Sequence, residues 1–260
     1  MGEALLSRLI AQQVYESAEI LVSEPSLERR NFLQEKYGVQ VTADNQAAAT
    51  AKDVLLLAIK PQVFAQVAAE LQLDKQGEAK EQQSVVISIL AGVPLSQLEA
   101  AFSQQPVIRA MPNTPATVGA GITAIASGQH TTSHHLEQAR VIFKAVGEVV
   151  EVSEPLMDAV TGLSGSGPAY VAIMVEALAD GGVAAGLPRA IASQLALQTV
   201  LGTAQLLHES ELHPAQLKDR VTSPGGTTIA GITQLEQAGF RSALIEAVIA
   251  ASQRSQALGR

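Results

Sequence analysis

The first half of the chain alternates short apolar, β-branched runs with stretches of helical spacing. Strands are predicted at residues 20–22, 39–41, 54–59, 85–89, 107–109, 121–126 and 149–152. Helices are predicted at residues 26–37, 63–71, 94–102 and 134–146. The run at 54–59 is continuously apolar, which is typical of a strand covered by helices on both faces. The repetition of strand and helix therefore predicts a mostly parallel, doubly wound α/β sheet that ends near Val152.

The second half of the chain changes to Ala- and Leu-rich helical spacing from Pro168 onward. Residues 165–168 are expected to form a loop, with Pro168 in the first turn of a helix that runs through Ala185. Further helices are predicted over residues 188–208, from 214, over 227–238 and up to about 258. With a boundary near Ser153, the prediction is a nucleotide-binding domain at 1–153 and an all-α domain at 154–260.

The chain opens with an amphipathic helix over residues 1–10, with no strand before it. The distance from Gly2 to the strand that ends at Glu24 matches the spacing from the last glycine of a G-x-G-x-x-G fingerprint to the end of the second strand. Gly2 is therefore interpreted as the third fingerprint glycine of an N-terminally truncated unit. The alternative interpretation is that Gly2 is only a small residue near the start.

A truncation of this kind would remove the central strand of the sheet. The strands that end at Val22 and Ile59 would then each expose an unpaired edge, and an apolar slot would open beneath Leu5 and Leu9. We expect a chain that begins at Met1 to be poorly soluble or inactive, and an added upstream strand to restore it.

Three motifs follow predicted strands or precede a predicted helix. Ala58-Ile59-Lys60-Pro61 and Arg109-Ala-Met-Pro-Asn-Thr-Pro115 lie at carboxyl ends of strands, where open α/β sheets bind ligands. Ser223-Pro-Gly-Gly-Thr-Thr228 precedes a helix, so its backbone N–H groups form a cradle for a carboxylate or phosphate. Each motif also has a purely structural explanation: a solvated lysine, an Asx-type turn and an ordinary N-cap, respectively.

Composition narrows the class of protein. Apolar residues make up 47% and charged residues 16% of the chain, which is typical of a globular protein. A net charge of −8 argues against nucleic-acid binding, and no apolar run reaches the roughly 18 residues of a membrane span. There is no cysteine, and the five histidines stand in polar loop or helix-edge contexts, so no metal site is expected. A soluble cytoplasmic protein is predicted.

Four motifs occur in the order in which they stand in pyrroline-5-carboxylate reductases, and the chain resembles that family throughout. They are Ala-Ile-Lys-Pro, Arg-Ala-Met-Pro-Asn-Thr-Pro, Leu-Ser-Gly-Ser-Gly-Pro-Ala-Tyr and Ser-Pro-Gly-Gly-Thr-Thr. The resemblance implies a Rossmann-type domain followed by a helical dimerisation domain. It implies reduction of 1-pyrroline-5-carboxylate to L-proline by hydride transfer from NADPH, with NADH as the alternative cofactor. It also implies self-association as dimers, with decamers among the family's larger assemblies.

The resemblance also implies roles for individual residues. The cofactor-binding set is Gly2, Ser23, Asn45, Ala58, Ile59, Lys60, Pro61, Ala91, Gly92, Asn113 and Arg220. The substrate-binding set is Glu154, Glu211, Ser223, Gly225, Gly226, Thr227 and Thr228, with Thr228 bonded to the ring nitrogen as the catalytic residue. No general acid is evident, since solvent can protonate an imine nitrogen. Ser23 and Arg29 favour a 2′-phosphate, whereas Glu24 favours a free ribose.

Two other functions stay open at this point. A reductase of the β-hydroxyacid dehydrogenase type would need a catalytic lysine in its helical domain, and no lysine occurs between Lys144 and Lys218. A non-catalytic protein is the second alternative, because the central strand is missing from the predicted sheet.

Overall fold

The computed structural model describes residues 1–71 and 84–259. Its strands lie within two residues of the predicted limits at either end. They are β1 (Leu21–Ser23), β2 (Gln40–Thr42), β3 (Val54–Leu57), β4 (Val85–Ser88), β5 (Val107–Met111), β6 (Gly121–Ser127) and β7 (Gly147–Glu151).

The strands form two sheets within the described residues. Strands β3 to β7 pair in sequence order, and every pair is parallel except β5 with β6. Strands β1 and β2 pair in parallel as a separate sheet. In the described part of the chain β1 and β3 are not hydrogen-bonded to each other, as expected for strands with unpaired edges. The predicted fold class, a mostly parallel Rossmann-type sheet followed by helices, is confirmed.

Short α-helices lie before, between and directly after the strands. They are α1 (Gly2–Ala11), α2 (Leu27–Tyr37), α3 (Asn45–Ala48), α4 (Phe64–Glu70), α5 (Leu95–Ala101), α6 (Ser133–Lys144) and α7 (Met157–Val160). The Ser26 hydroxyl caps α2 by accepting from the Arg29 N–H, and Gly38 ends α2 with a φ of 69°.

The prediction of a loop at residues 165–168 is wrong. A π-helical turn at Thr161–Gly165 follows α7 directly and leads into α8 (Gly167–Ala184). The Thr161 and Ser164 hydroxyls donate to the carbonyls of Met157 and Val160, so the polar residues of this segment are satisfied inside a helix. The glycine and serine residues of this segment therefore form a bulge within a helix and do not mark the beginning of one.

The prediction of an open apolar slot beneath the first helix is also wrong. Leu5 is fully buried and Leu9 is 7% exposed, and both belong to one cluster with Val85, Ile87 and Ile108 of the sheet. The apolar face of α1 thus packs directly on the sheet. Burial of each of the two leucines stabilises this packing by about 1.5–3 kcal/mol.

The chain divides into two compact units. Unit 1 comprises Met1–Ser166 and Ala250–Arg260, and unit 2 comprises Gly167–Ile249. Unit 2 contains α8, α9 (Arg189–Ser210), α10 (Pro214–Arg220), α11 (Thr227–Gln237) and the first half of α12 (Phe240–Leu258). This division falls after Ser166, and the domain boundary expected near Ser153 stays a prediction.

Helix α9 has unusual hydropathy. Among the described residues it is the one helix that is long and apolar enough to cross a membrane, judged by length and composition alone. Core helices of soluble proteins pass the same test, and so do helices that become covered by a partner.

A partly buried hydrogen bond joins the end of α12 to α7. Ser255 is 4% exposed, and its hydroxyl donates to Asp158 Oδ1 over 2.6 Å. We predict that Ser255→Ala lowers the free energy of unfolding by about 1–2 kcal/mol, because it leaves a partly buried carboxylate without this donor. Chemical denaturation at a fixed protein concentration measures the loss. Ser242→Ala, at an exposed position of the same helix, is the control, and equal effects of the two substitutions would contradict the prediction.

Candidate functional site

The carboxyl end of β1 carries a short chain of side-chain hydrogen bonds. Ser23 Oγ donates to Asn45 Oδ1 over 2.7 Å, and Asn45 Nδ2 donates to Glu70 Oε2 over 2.7 Å. The bond from Asn45, with a second from Gln66, lowers the pKa of Glu70. These contacts fix Ser23 and Asn45, two predicted cofactor residues, next to each other at the edge where α/β sheets bind nucleotides.

The first turn of α1 carries a carboxylate with three donors. Glu3 Oε2 accepts from Arg29 Nη2, and Glu3 Oε1 accepts from Lys36 Nζ (3.2 Å) and from the Tyr37 hydroxyl (2.7 Å). The hydrogen bond from Arg29, followed by that from Tyr37, lowers the pKa of Glu3 from 4.5 to about 2. Glu3 therefore stays ionised and links α1 to α2.

The loop between β1 and α2 is held by its own side chains. Arg30 Nη1 donates to the carbonyls of Glu24 (2.7 Å) and Pro25 (2.9 Å). The Glu24 carboxylate accepts from the Ser26 backbone N–H over 3.0 Å. The Glu24 side chain thus already accepts a hydrogen bond from the backbone N–H at the N-cap of α2.

Gly2 and the segment after β3 approach each other closely. A Cβ on Gly2 would come within 3.1 Å of the Ala58 Cβ, which is tighter than ordinary side-chain contact. Pro61 begins a 3₁₀ turn, and Lys60 just before it is exposed. The glycine thus permits a close approach of the α1 N-terminus to residues 58–61, as a nucleotide-binding turn requires.

The turn after β4 is packed against the end of the chain. Gly92 is buried with a φ of 76°, and a Cβ on it would lie 3.3 Å from the Leu258 Cβ. Ala91 beside it is exposed. Of these two predicted cofactor residues, Ala91 faces solvent and Gly92 is enclosed.

Asn113 and Glu154 both make structural contacts in unit 1. Asn113 Oδ1 accepts from the Ile122 N–H over 3.0 Å and so closes the connection from β5 to β6. Glu154 Oε1 accepts from Arg109 Nη1 (2.7 Å) and from the Leu95 N–H (3.0 Å). Glu154 Oε2 is buried and has no hydrogen-bond partner in the described part of the chain.

In unit 2 the turn before α11 presents a cradle of backbone N–H groups. Gly225 has a φ of 67°, and Gly226 donates its N–H to the Ser223 carbonyl over 3.1 Å. A Cβ on Gly226 would meet Ser223 Oγ at 2.3 Å, so a side chain there would displace the Ser223 hydroxyl. The first-turn N–H groups of α11, from Thr227 onward, remain for a ligand at the positive end of the helix.

The other predicted residues of unit 2 are placed as follows. Thr227 is exposed and Thr228 is half-buried in the first turn of α11. Glu211 is exposed at the end of α9 with a φ of 53°, and Arg220 is exposed at the end of α10.

One sequence-based description needs correction. His135 is fully buried, not at a helix edge, and its Nδ1 accepts from the Thr132 N–H over 3.1 Å at the start of α6. Its position three residues after the N-cap explains the burial, because the ring folds back over the helix end. No group of three or more metal-ligating side chains occurs within residues 1–71 and 84–259.

Sequence reasoning missed the ion pairs, among them Glu3 with Arg29 and Arg109 with Glu154. For the second, an arginine inside an otherwise apolar strand run was a usable signal, since a buried guanidinium needs an acidic partner. For the first there was no usable signal, because the partners are 26 residues apart and on different helices.

Comparison with known proteins identifies relatives along the whole chain. Residues 154–258 match the family described as pyrroline-5-carboxylate reductase dimerisation, and residues 1–92 match NADP oxidoreductase, coenzyme F420-dependent. The chain is 62% identical to the pyrroline-5-carboxylate reductase of Synechocystis sp. over all of its own length and 95% of the relative. It superposes on the Coxiella burnetii reductase with a TM-score of 0.90 at 38% identity, covering 100% and 95% of the two chains. A Plasmodium falciparum pyrroline carboxylate reductase with NADP bound gives 0.87 at 30% identity, with the same coverage.

The contacts of Glu3 predict a pH dependence of stability. Because its pKa falls from 4.5 to about 2, ionised Glu3 stabilises the folded chain above pH 4.5, and this contribution is lost as the pH falls toward 2. The difference in free energy of unfolding between the wild type and Glu3→Gln should be constant near neutral pH and shrink below 4.5. Glu28→Gln, an exposed change of equal charge, is the control. A wild-type to Glu3→Gln difference that does not change over this range would contradict the assignment.

Proposed function

The chain belongs to the pyrroline-5-carboxylate reductase family, and on that premise we propose how its residues reduce 1-pyrroline-5-carboxylate to L-proline, the last step of proline biosynthesis. The observation that carries the proposal is the turn before α11, where a glycine pair leaves backbone N–H groups open beside two threonine hydroxyls. This arrangement suits a small carboxylate with a polar ring atom next to it. Consumption of NADPH on addition of 1-pyrroline-5-carboxylate, with proline formed in equal amount, tests it.

The residues of unit 1 fit a dinucleotide. Gly2 begins α1 without a side chain beside Ala58, and we propose that a pyrophosphate binds the backbone N–H groups of this helix start. Ser23 is held by Asn45 where an adenosine ribose would lie. When bound, NADPH, or NADH as the alternative, supplies the hydride that reduces the C=N carbon.

We propose that the members of the predicted cofactor set in unit 1 together orient that hydride, and Arg220, which lies in unit 2, is proposed separately as a cofactor-binding residue. Several of its members contribute backbone or shape and not charge, as the enclosed Gly92 and the engaged Asn113 Oδ1 indicate. The full set is Gly2, Ser23, Asn45, Ala58, Ile59, Lys60, Pro61, Ala91, Gly92, Asn113 and Arg220.

For the substrate we propose that the N–H groups at the beginning of α11 hold the carboxylate, with Ser223, Gly225, Gly226 and Thr227 forming the turn. The Thr228 hydroxyl donates to the ring nitrogen, which fixes the C=N bond for transfer. Solvent supplies the proton that the nitrogen gains. Glu211 is proposed as a supporting residue. Glu154 is proposed to act through its unpartnered oxygen, because its other oxygen is taken by Arg109 and Leu95.

Unit 2 leaves many apolar side chains exposed. On α9 these include Leu195, Leu197 and Leu201, each more than half exposed, and on α8 Ile173 is 65% exposed. An apolar surface of this kind marks an interface between subunits. The family match shows self-association, and we propose that a second subunit covers α8 and α9, that dimers assemble into decamers, and that the protein acts in the cytoplasm.

Light scattering tests the subunit interface. At micromolar concentration we expect a mass of two chains or a multiple of it. Replacement of Leu197 and Leu201 by Glu should lower the mass to one chain, because charges buried without partners cost several kcal/mol. Lys218→Glu, at a polar position of unit 2, is the control. A wild-type mass of one chain would refute the interface.

The two threonines of α11 separate a side-chain role from a backbone role. Thr228→Val should lower kcat/KM by about ten- to a hundredfold, because one hydrogen bond in a closed site contributes about 1–3 kcal/mol. Thr227→Val keeps the same backbone cradle and should cost much less. Equal small losses would leave backbone N–H groups as the whole of the contact.

A further inference from the structure

We propose that Glu3 is a specificity-determining residue for the cofactor, because its carboxylate competes with the 2′-phosphate of NADPH for the guanidinium of Arg29. The inference rests on the proposed function and deepens it. It concerns a residue outside the predicted cofactor set.

The position of Arg29 points to the 2′-phosphate. Arg29 lies in the first turn of α2, where its N–H is capped by Ser26, and α2 follows the strand that ends at Ser23. Its side chain reaches back to Glu3 in the first turn of α1. The guanidinium therefore lies between the helix end that fits a pyrophosphate and the strand end that fits a ribose, where an arginine recognises a 2′-phosphate.

The neighbouring arginine is not equivalent. Arg30 Nη1 is already bound to the carbonyls of Glu24 and Pro25, and these bonds hold the loop together. Arg29 is instead bound to a carboxylate and packed on the Phe32 ring, with its guanidinium carbon 4.8 Å from the ring centroid. A doubly charged phosphate is a stronger partner for it than a single carboxylate.

Glu3 is arranged so that Arg29 can leave it. Arg29 bonds to Oε2, whereas Lys36 and Tyr37 bond to Oε1 and would remain. Both partners of the pair are about one third exposed, so the bond is weakened by solvent. Glu3 therefore lowers the affinity for a 2′-phosphate to a modest extent without being left unpaired when the phosphate binds.

The experiment compares two nucleotide fragments that differ in one phosphate. The affinities of 2′,5′-ADP and 5′-AMP are measured by calorimetry on the full chain. Glu3→Gln should tighten 2′,5′-ADP by roughly fivefold and leave 5′-AMP unchanged, as expected for the loss of a partly exposed ion pair. Glu28→Gln, an exposed change of equal charge in the first turn of α2 next to Arg29, should alter neither affinity. In Glu3→Gln with Arg29→Gln the gain should disappear.

A second variant covers the case in which Glu3→Gln does not fold. Tyr37→Phe keeps all charges and removes one donor to Glu3 Oε1, so more of the carboxylate's negative charge remains for Arg29, which is then held more tightly. It should weaken 2′,5′-ADP relative to 5′-AMP. A ratio of affinities that neither variant changes overturns the inference while the wild type still binds both nucleotides and turns over substrate. A wild type that binds neither nucleotide overturns the proposed function as well.

Discussion

A single carboxylate organises unit 1. Arg109 stands on β5, the middle strand of the five-stranded sheet, with its side chain 5% exposed. A guanidinium buried there costs several kcal/mol unless a charge and hydrogen bonds compensate it. Glu154 supplies both, and the same oxygen also accepts from the N–H of Leu95 at the beginning of α5. Glu154 thereby links the centre of the sheet, the beginning of α5 and the segment that follows β7.

The second constraint is charge. A chain with a net charge of −8 is proposed to bind two anions, a dinucleotide and a carboxylate, so long-range attraction works against it. Local donors must supply the binding energy instead, and helix N-termini do so without adding net charge. The beginning of α1 and the glycine turn before α11 are both of this kind. The one acid in the first turn of α1, Glu3, is neutralised by three donors from α2.

Most of the sequence-based prediction of the fold agrees with the structure because it relied on local signals. Strand limits followed from apolar runs, and α2 followed from helical spacing over residues 26–37. The errors occurred where a local signal had two structural outcomes. Residues Thr161–Gly165 form a π-helical turn within a helix, where the hydroxyls of Thr161 and Ser164 donate to carbonyls one turn back. His135 is buried because its ring folds back over the beginning of α6, although its sequence neighbours are polar.

By itself the sequence determined the order of elements, the family and the glycine turn of the proposed substrate site, because each depends on residues adjacent along the chain. The tertiary structure alone decided which charges meet. Glu3 and Arg29 are 26 residues apart, and Arg109 and Glu154 are 45 apart. In neither pair could the acidic partner be chosen from the sequence, since many acids lie at similar separations. The packing of α1 on the sheet brings Glu3 to Arg29, and the return of the chain after β7 brings Glu154 to Arg109. An ion pair depends on distance in space, to which sequence spacing is no guide once the partners lie on different elements.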